Sequence, residues 1–163
     1  MAFSLCFTLT FRGLCSSLDE LKRIVSGETP DIIGLCETFL DSNKDMLLDI
    51  PGYRMERLNR KQMARGGFAL FIADRLAYNV RSDLIRNEEE IFESLLIEIK
   101  SGFKDLGVCL VYRSPSGSIT SFMKILEEVL DSVQKHPCEL FLNGDFNLNL
   151  LDQNSASATD FCR

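Results

Sequence analysis

Two kinds of periodicity alternate along the chain. Ser4 to Phe11 is an apolar run that predicts a strand. "SSLDELKRIVSG" switches to helical spacing: Leu18, Leu21 and Ile24 share a face, Ser16 or Ser17 is placed to cap the start with Glu20 three or four residues on, and Gly27 marks the stop. After Pro30, "DIIGLCETF" is continuously apolar up to its final residues, the pattern of a strand buried on both faces. "DIPGYRMERL" turns at Pro51-Gly52 into another strand, and "GGFALFIA" and "LAYNV" predict a strand pair around Asp74-Arg75. "IFESLLIEIK" and "LGVCLVYR" predict two more strands joined at Ser101-Gly102. Ser116 to Lys135 returns to helical spacing, with a stripe of Ile119, Phe122, Met123, Leu126, Val129, Leu130 and Val133, and Pro137 ends it. Cys138 to Asn143 reads as a last strand, and the polar tail from Gln153 to Arg163 predicts no further element.

The implied order is β-α-β, several strands, then α-β. Helices interleaved with strands in this way predict an α/β (α+β layered) domain, not a helical bundle or an all-β sandwich. At 163 residues and 45% apolar composition the chain is long enough for one domain with its own core, assigned here to residues 1–152, with 153–163 as a tail. No repeat or low-complexity linker interrupts it.

Charge changes the picture locally more than globally. The formal net charge of −6 argues against a protein that coats nucleic acid without specificity. Yet Arg54, Arg57, Arg60, Lys61 and Arg65 crowd one loop-like segment opposed by Glu56 alone. Such a segment is either a solvated basic loop or a phosphate-contacting patch, and the two readings are compatible. Glu88, Glu89 and Glu90 form an acidic counterpart, read as a solvated turn. The six cysteines (Cys6, Cys15, Cys36, Cys109, Cys138 and Cys162) include no C-x-x-C spacing, which argues against zinc. Cys36 and Cys109 sit in apolar runs as small hydrophobes, so reduced thiols and an intracellular protein are expected. The N-terminus lacks a basic region ahead of its short apolar run, which favours a buried strand over a signal peptide, and no stretch is long enough to span a bilayer.

The candidate chemistry lies where apolar strands end in polar residues. Glu37 closes the run from Asp31 to Cys36; Tyr112-Arg113 closes Leu106 to Val111; Asp145 and Asn147 close Leu140 to Leu142, with Gly144 letting the backbone turn. Ligands of layered α/β domains gather at such strand ends. Carboxylate, phenol and carboxamide oxygens brought to one edge describe a hard-cation site, suited to Mg²⁺ or Mn²⁺. Each motif alone has a plainer reading: a solvated Glu, an amphipathic boundary Tyr, a type I turn with an Asx cap in Gly-Asp-Phe-Asn. The combination, in order, is far more specific. His136, the single histidine, lies between Lys135 and Pro137 at a helix end, where it meets the helix dipole favourably.

The series "PDIIGLCETFL", "IPGY", "RGGFALFI", "ESLLIEI", "GVCLVYRSPSGS" and "ELFLNGDFNLNLLD" resembles the endonuclease/exonuclease/phosphatase superfamily, most of all the endonuclease domains of LINE-type (non-LTR) retrotransposons. The resemblance runs from about the first strand to Asp152. It implies a four-layer α/β sandwich and divalent-metal-dependent phosphodiester hydrolysis, with DNA as the partner and Mg²⁺ or Mn²⁺ as cofactor. It implies Glu37 as the metal-binding glutamate and Tyr112 as a phosphate contact. Asp145 would orient or deprotonate the attacking water, and Asn147 would position that water and the phosphoryl oxygens. Arg113 joins Arg54, Arg57, Arg60, Lys61 and Arg65 as an expected nucleic-acid contact. Gly66-Gly67 matches the family's R-G-G segment, with a backbone role.

The chain departs from the family pattern in two places. Thr10 stands where the family carries an asparagine at the metal site, and the closing Ser-Asp-His is absent from the sequence. An incomplete sandwich is therefore expected, with its inner sheet bare unless a partner or the missing C-terminal half covers it, and with weak or no activity. Two alternatives follow: a non-catalytic module that binds nucleic acid or protein, and a phosphoesterase acting on lipid or nucleotide phosphates.

Overall fold

The computed structural model of the chain describes residues 6–10, 14–39, 49–58, 67–88, 90–100, 104–136, 138–149, 151 and 156–161. The first sheet holds β1 (Cys6–Thr10), β2 (Ile32–Cys36), β3 (Tyr53–Leu58) and β4 (Phe68–Ala73) in the order β1-β2-β4-β3. Helix α1 (Leu14–Glu28) connects β1 to β2, which run parallel; β4 is antiparallel to both β2 and β3. The second sheet holds β5 (Tyr78–Val80), β7 (Phe92–Ile99), β8 (Asp105–Arg113) and β9 (Cys138–Asp145) in that order, with β6 (Arg86–Glu88) also pairing β7. Helix α2 (Ile119–Gln134) connects β8 to β9, again parallel. Each sheet thus contains one parallel β-α-β unit extended by antiparallel strands.

Strand alternation sorts the apolar residues into three layers of core. On β2, Ile33 and Leu35 face α1 and pack with Leu21, Val25, Ala69 and Phe71. Ile32 and Cys36, one residue out of phase, face the second sheet and pack with Phe68, Leu70, Leu95, Ile97, Val108, Leu110 and Tyr112. That two-sided demand is why the run is continuously apolar. On the far side Leu96, Cys109 and Val111 meet Phe122, Leu126, Val129 and Val133 of α2. The result is the layer order α1, sheet, sheet, α2, that of the expected incomplete four-layer sandwich.

The two sheets cover each other over much of their inner faces, while the edge strand β9 keeps Phe141, the register partner of inner-facing Val108, open to solvent, as an incomplete sandwich implies. Among the described residues, the exposed large apolar side chains are Phe141, 41% exposed on β9, and Leu151. Other expectations are corrected. "GGFALFIA" and "LAYNV" do not pair: the chain turns at Asp74-Arg75 to leave one sheet for the other, where β5 pairs β7. The tail is not featureless. Helix α3 (Ala156–Phe161) buries Ala158 and lays Phe161 against Phe146, ring centroids 5.0 Å apart. Helix α1 starts at Leu14, so Ser16 and Ser17 lie in its first turn and do not cap it, and Val25 accompanies Leu21 in the core while Ile24 is half-buried. Helix α2 is capped by Ser118, whose Oγ accepts from the Ser121 amide. The expected junctions at Ser101-Gly102 and Pro137 lie outside the described residues.

Phe122 is fully buried at the centre of the outer layer, with its ring 5.3 Å from that of Phe92 and 6.1 Å from that of Phe146. Phe122→Ala is expected to cost about 3–5 kcal/mol in a urea-unfolding measurement, through lost burial and the cavity left behind.

Candidate active site

Parallel pairing of β8 with β9 sets Tyr112 directly beside Asp145 as register partners. From the other sheet, β2 ends at Cys36 and delivers Glu37 to the same edge. Tyr112 Oη donates to Glu37 Oε1 at 2.9 Å, a hydrogen bond that crosses between the sheets. Two residues past Asp145, the Asn147 amide donates to Asp145 Oδ1 at 3.0 Å, and Asn147 Nδ2 donates to the Arg113 carbonyl at 2.7 Å. The structure thus brings Glu37, Tyr112, Asp145 and Asn147 together. The Thr10 backbone pairs with Cys36, which puts that position at the same end of the first sheet.

Backbone strain concentrates here. Glu37 and Asn147 both have positive φ, 56° and 48°. Non-glycine residues in that region cost about 1–3 kcal/mol each and cluster at functional sites. Gly144, at φ 151°, permits the approach of β9 to β8: a Cβ there would stand 1.7 Å from the Val111 carbonyl oxygen. Between the two polar residues, Phe146 turns the other way and packs edge-on against Phe122. The Gly-Asp-Phe-Asn run therefore alternates an apolar anchor with polar flanks. Thr8, Asn143, Asp145, Asn147 and Asn149 help line an open pocket of about 560 Å³. A second pocket of about 570 Å³ lies at the opposite end of the first sheet, among Val25, Ile50, Tyr53 and Ala73, away from this cluster.

Two buried residues beneath the site carried no functional reading in the sequence. Glu93, 1% exposed, is the β7 register partner of Tyr112. Its signal was a carboxylate inside the apolar run "IFESLLIEI". Cys36 is fully buried, and its thiol is pushed up to about 12 by burial and then by the negative charge of Asp145, Glu93 and Glu37. Burial alone pushes the Cys109 thiol up to about 12. Among the described residues Cys36, Cys109 and Cys138 are free thiols.

The expected nucleic-acid contacts separate. Arg113 is 4% exposed, and its guanidinium donates to the carbonyls of Phe146 (2.7 Å), Gly117 (2.8 Å) and Asn147 (2.7 Å). Burial lowers its pKa, and the Asp145 charge opposes that shift. Arg54 is exposed on β3. It stacks over the Tyr78 ring at 4.6 Å and donates to the Leu76 carbonyl, tying β3 to the segment entering β5. Its β4 partner, Ile72, pairs with Ile32 at the start of β2, the end remote from Glu37. Arg57, half-buried, lies three residues further along β3 and nearer the Glu37 end. Arg60, Lys61, Arg65 and Gly66 lie outside the described residues. Gly67 has φ 84°, in keeping with a backbone role before β4. His136, exposed after α2, sits at the start of β9 and so about 25 Å of strand from Asp145.

The donor set suits a hard cation. Among the described residues no three His, Cys, Asp or Glu side chains form a metal-holding group. Mg²⁺ needs no such cage, because it keeps several waters and takes one or two carboxylates together with substrate phosphates. Glu37 and Asp145 fit that demand with oxygen donors alone.

No protein-family model and no curated protein sequence matches the chain. Solved structures do. The chain is similar to the endonuclease domain of TRAS1, a telomere-specific non-LTR retrotransposon, with TM-score 0.75 and 14% identity over 95% of this chain and 67% of that one. It is similar to the AP endonuclease LMAP from Leishmania major, with TM-score 0.67 and 19% identity over 90% of this chain and 56% of that one. TDP2 of D. rerio, solved with a single-strand DNA product, gives TM-score 0.66 and 14% identity over 95% of this chain and 62% of that one. The chain has the fold of the endonuclease/exonuclease/phosphatase superfamily and spans about two thirds or less of these three structures. Among the described residues no helix is long and apolar enough to cross a membrane.

Gly144→Ala is expected to lower stability by about 3 kcal/mol or more, because the methyl overlaps the Val111 carbonyl, and to shift the urea midpoint accordingly. In native protein at pH 8 Cys36 and Cys109 are expected to resist iodoacetamide, since a thiol at about 12 leaves roughly one part in ten thousand as thiolate. Mass mapping of the labelled peptides checks this, with denatured protein as the fully reactive control.

Proposed function

We propose that the chain is a divalent-metal-dependent phosphodiester hydrolase of the DNA-endonuclease kind, weak in the form described. The observation that carries this reading is the convergence of Glu37, Tyr112, Asp145 and Asn147 on one edge, with Tyr112 bonded to Glu37 and paired in register with Asp145.

In this reading Glu37 would hold Mg²⁺ or Mn²⁺ with Asp145 close by, and the ion would neutralise charge gathering on the phosphodiester oxygens. Tyr112 orients the Glu37 carboxylate by donating its one hydroxyl proton to it, so a phosphate oxygen accepts from Tyr112 only when it takes the place of that bond. Asp145 takes the proton of the attacking water, and its Oδ1 is held by the Asn147 amide so that the acceptor is preorganised. Asn147, anchored through Nδ2 to the Arg113 carbonyl, offers the rest of its carboxamide to water or phosphate. His136 lies beyond the far end of β9 from Asp145 and supplies no proton to the leaving oxygen in this reading. The same observation favours a second reading, a non-catalytic nucleic-acid-binding module.

Nicking of supercoiled plasmid tests the two readings. Mg²⁺-dependent nicking that falls by about 10²–10³ or more in Glu37→Ala and in Asp145→Asn is expected. Nicking retained by both variants would overturn the assignment. Salt-sensitive DNA binding with no metal-dependent cleavage would select the binding module.

A further inference from the structure

The "YRSPSGS" segment contains an arginine that neither reading uses. We infer that Arg113 is a positioning residue: its buried guanidinium clamps the 145–147 turn that carries Asp145 and Asn147, and makes no contact with nucleic acid. The deduction for the site rests on the proposed function; the deduction for the turn rests on hydrogen bonds alone.

Two loops meet at this side chain, and a third packs against one of them. Nε donates to the Phe146 carbonyl and Nη2 to the Asn147 carbonyl, so successive peptide groups of the turn are held by one planar fork. Nη1 donates to the Gly117 carbonyl in the loop before α2. The grip is reciprocal, since the Arg113 carbonyl accepts from Asn147 Nδ2 at 2.7 Å. Gly117 is itself wedged: its amide donates to the Ser114 carbonyl, and a Cβ there would stand 2.3 Å from the Glu90 carbonyl oxygen. The loop before α2 and the 146–147 turn are thereby joined at one guanidinium, with the 90–91 turn packed against that loop.

The clamp explains two observations. Asn147 sits at φ 48°, a left-handed conformation that asparagine tolerates better than most residues and that the bonds at its carbonyl and side chain hold in place. A cation that is 4% exposed, with each of its three nitrogens already donating to a backbone carbonyl, is also poorly placed for an incoming phosphate. Lysine could keep the charge but not the fork, because an ammonium cannot present a planar pair of N–H groups to adjacent carbonyls.

Amide hydrogen exchange tests the clamp without reference to activity. In Arg113→Lys the Asn147 amide, bonded to Asp145 Oδ1, is expected to exchange about tenfold faster than in the wild type, while core amides of α2 such as Val129 keep their rates. An unchanged Asn147 rate would overturn the inference. Should the variant not fold, the wild-type protein carries the test through the Arg113 Nε–H resonance. That signal is expected to exchange slowly and to stay unshifted when a short DNA duplex is added; fast exchange, or a shift on DNA, would overturn it. Arg113→Met is expected to leave the salt slope of DNA binding unchanged, whereas a lost phosphate contact would reduce that slope by about 1. If the wild type neither nicks nor binds DNA, the proposed function fails, and the exchange result still decides the clamp.

Discussion

Face-to-face packing of two sheets is the constraint on which everything else in this molecule depends. Ile32, Cys36, Phe68, Leu70 and Ile72 on one side and Leu95, Ile97, Val108, Leu110 and Tyr112 on the other exclude water between the layers. Sheets so packed lie about 10 Å apart, close enough for a tyrosine at the end of one strand to reach a glutamate at the end of another. The Tyr112–Glu37 hydrogen bond is that reach made visible. Were β2 and β8 each to slip by one residue in their strand pairing, Cys36 and Tyr112 would exchange the inner face for the outer one, and the polar edge would disperse.

Rigid elements hold a strained edge. Glu37 and Asn147 occupy backbone conformations that side chains avoid, and Gly144 passes Val111 more closely than any other residue could. Three devices hold that geometry: parallel register between β8 and β9, the Phe146 ring set among Phe122 and Phe161, and the Arg113 guanidinium on the carbonyls of the turn. Each lies outside the reacting edge and restricts what the edge can do. This is the arrangement expected where chemistry depends on preorganised donors and acceptors more than on flexible ones.

Particular residues show how far sequence reading carries. The stripe on α2 was legible because helical burial has a period, and Phe122, Leu126, Val129 and Val133 are its buried members. The strand at Ile32–Cys36 was legible because a run apolar in every position must be covered on both faces. The break between β4 and β5 was not, since a turn at Asp74-Arg75 looks the same whether the next strand returns to its own sheet or crosses to another. The buried Glu93 was passed over because a lone carboxylate in an apolar run is indistinguishable by pattern from one at a solvated bend. Arg54, Arg57 and Arg113 were grouped by charge. Charge alone does not say whether a guanidinium meets solvent, a ring or a row of carbonyls.

What the sequence by itself determined is the longer strands and the two long helices, the polar residues that end the strands, and the resemblance those endings carry. Each follows from local periodicity and from residue types that have no use in a core. Tertiary structure alone decided which strand ends meet, that Arg113 faces inward to hold a turn, and how far the inner faces of the two sheets cover each other. Those outcomes depend on register and on contacts between residues as far apart as Glu37 and Tyr112, and no short window of sequence contains them.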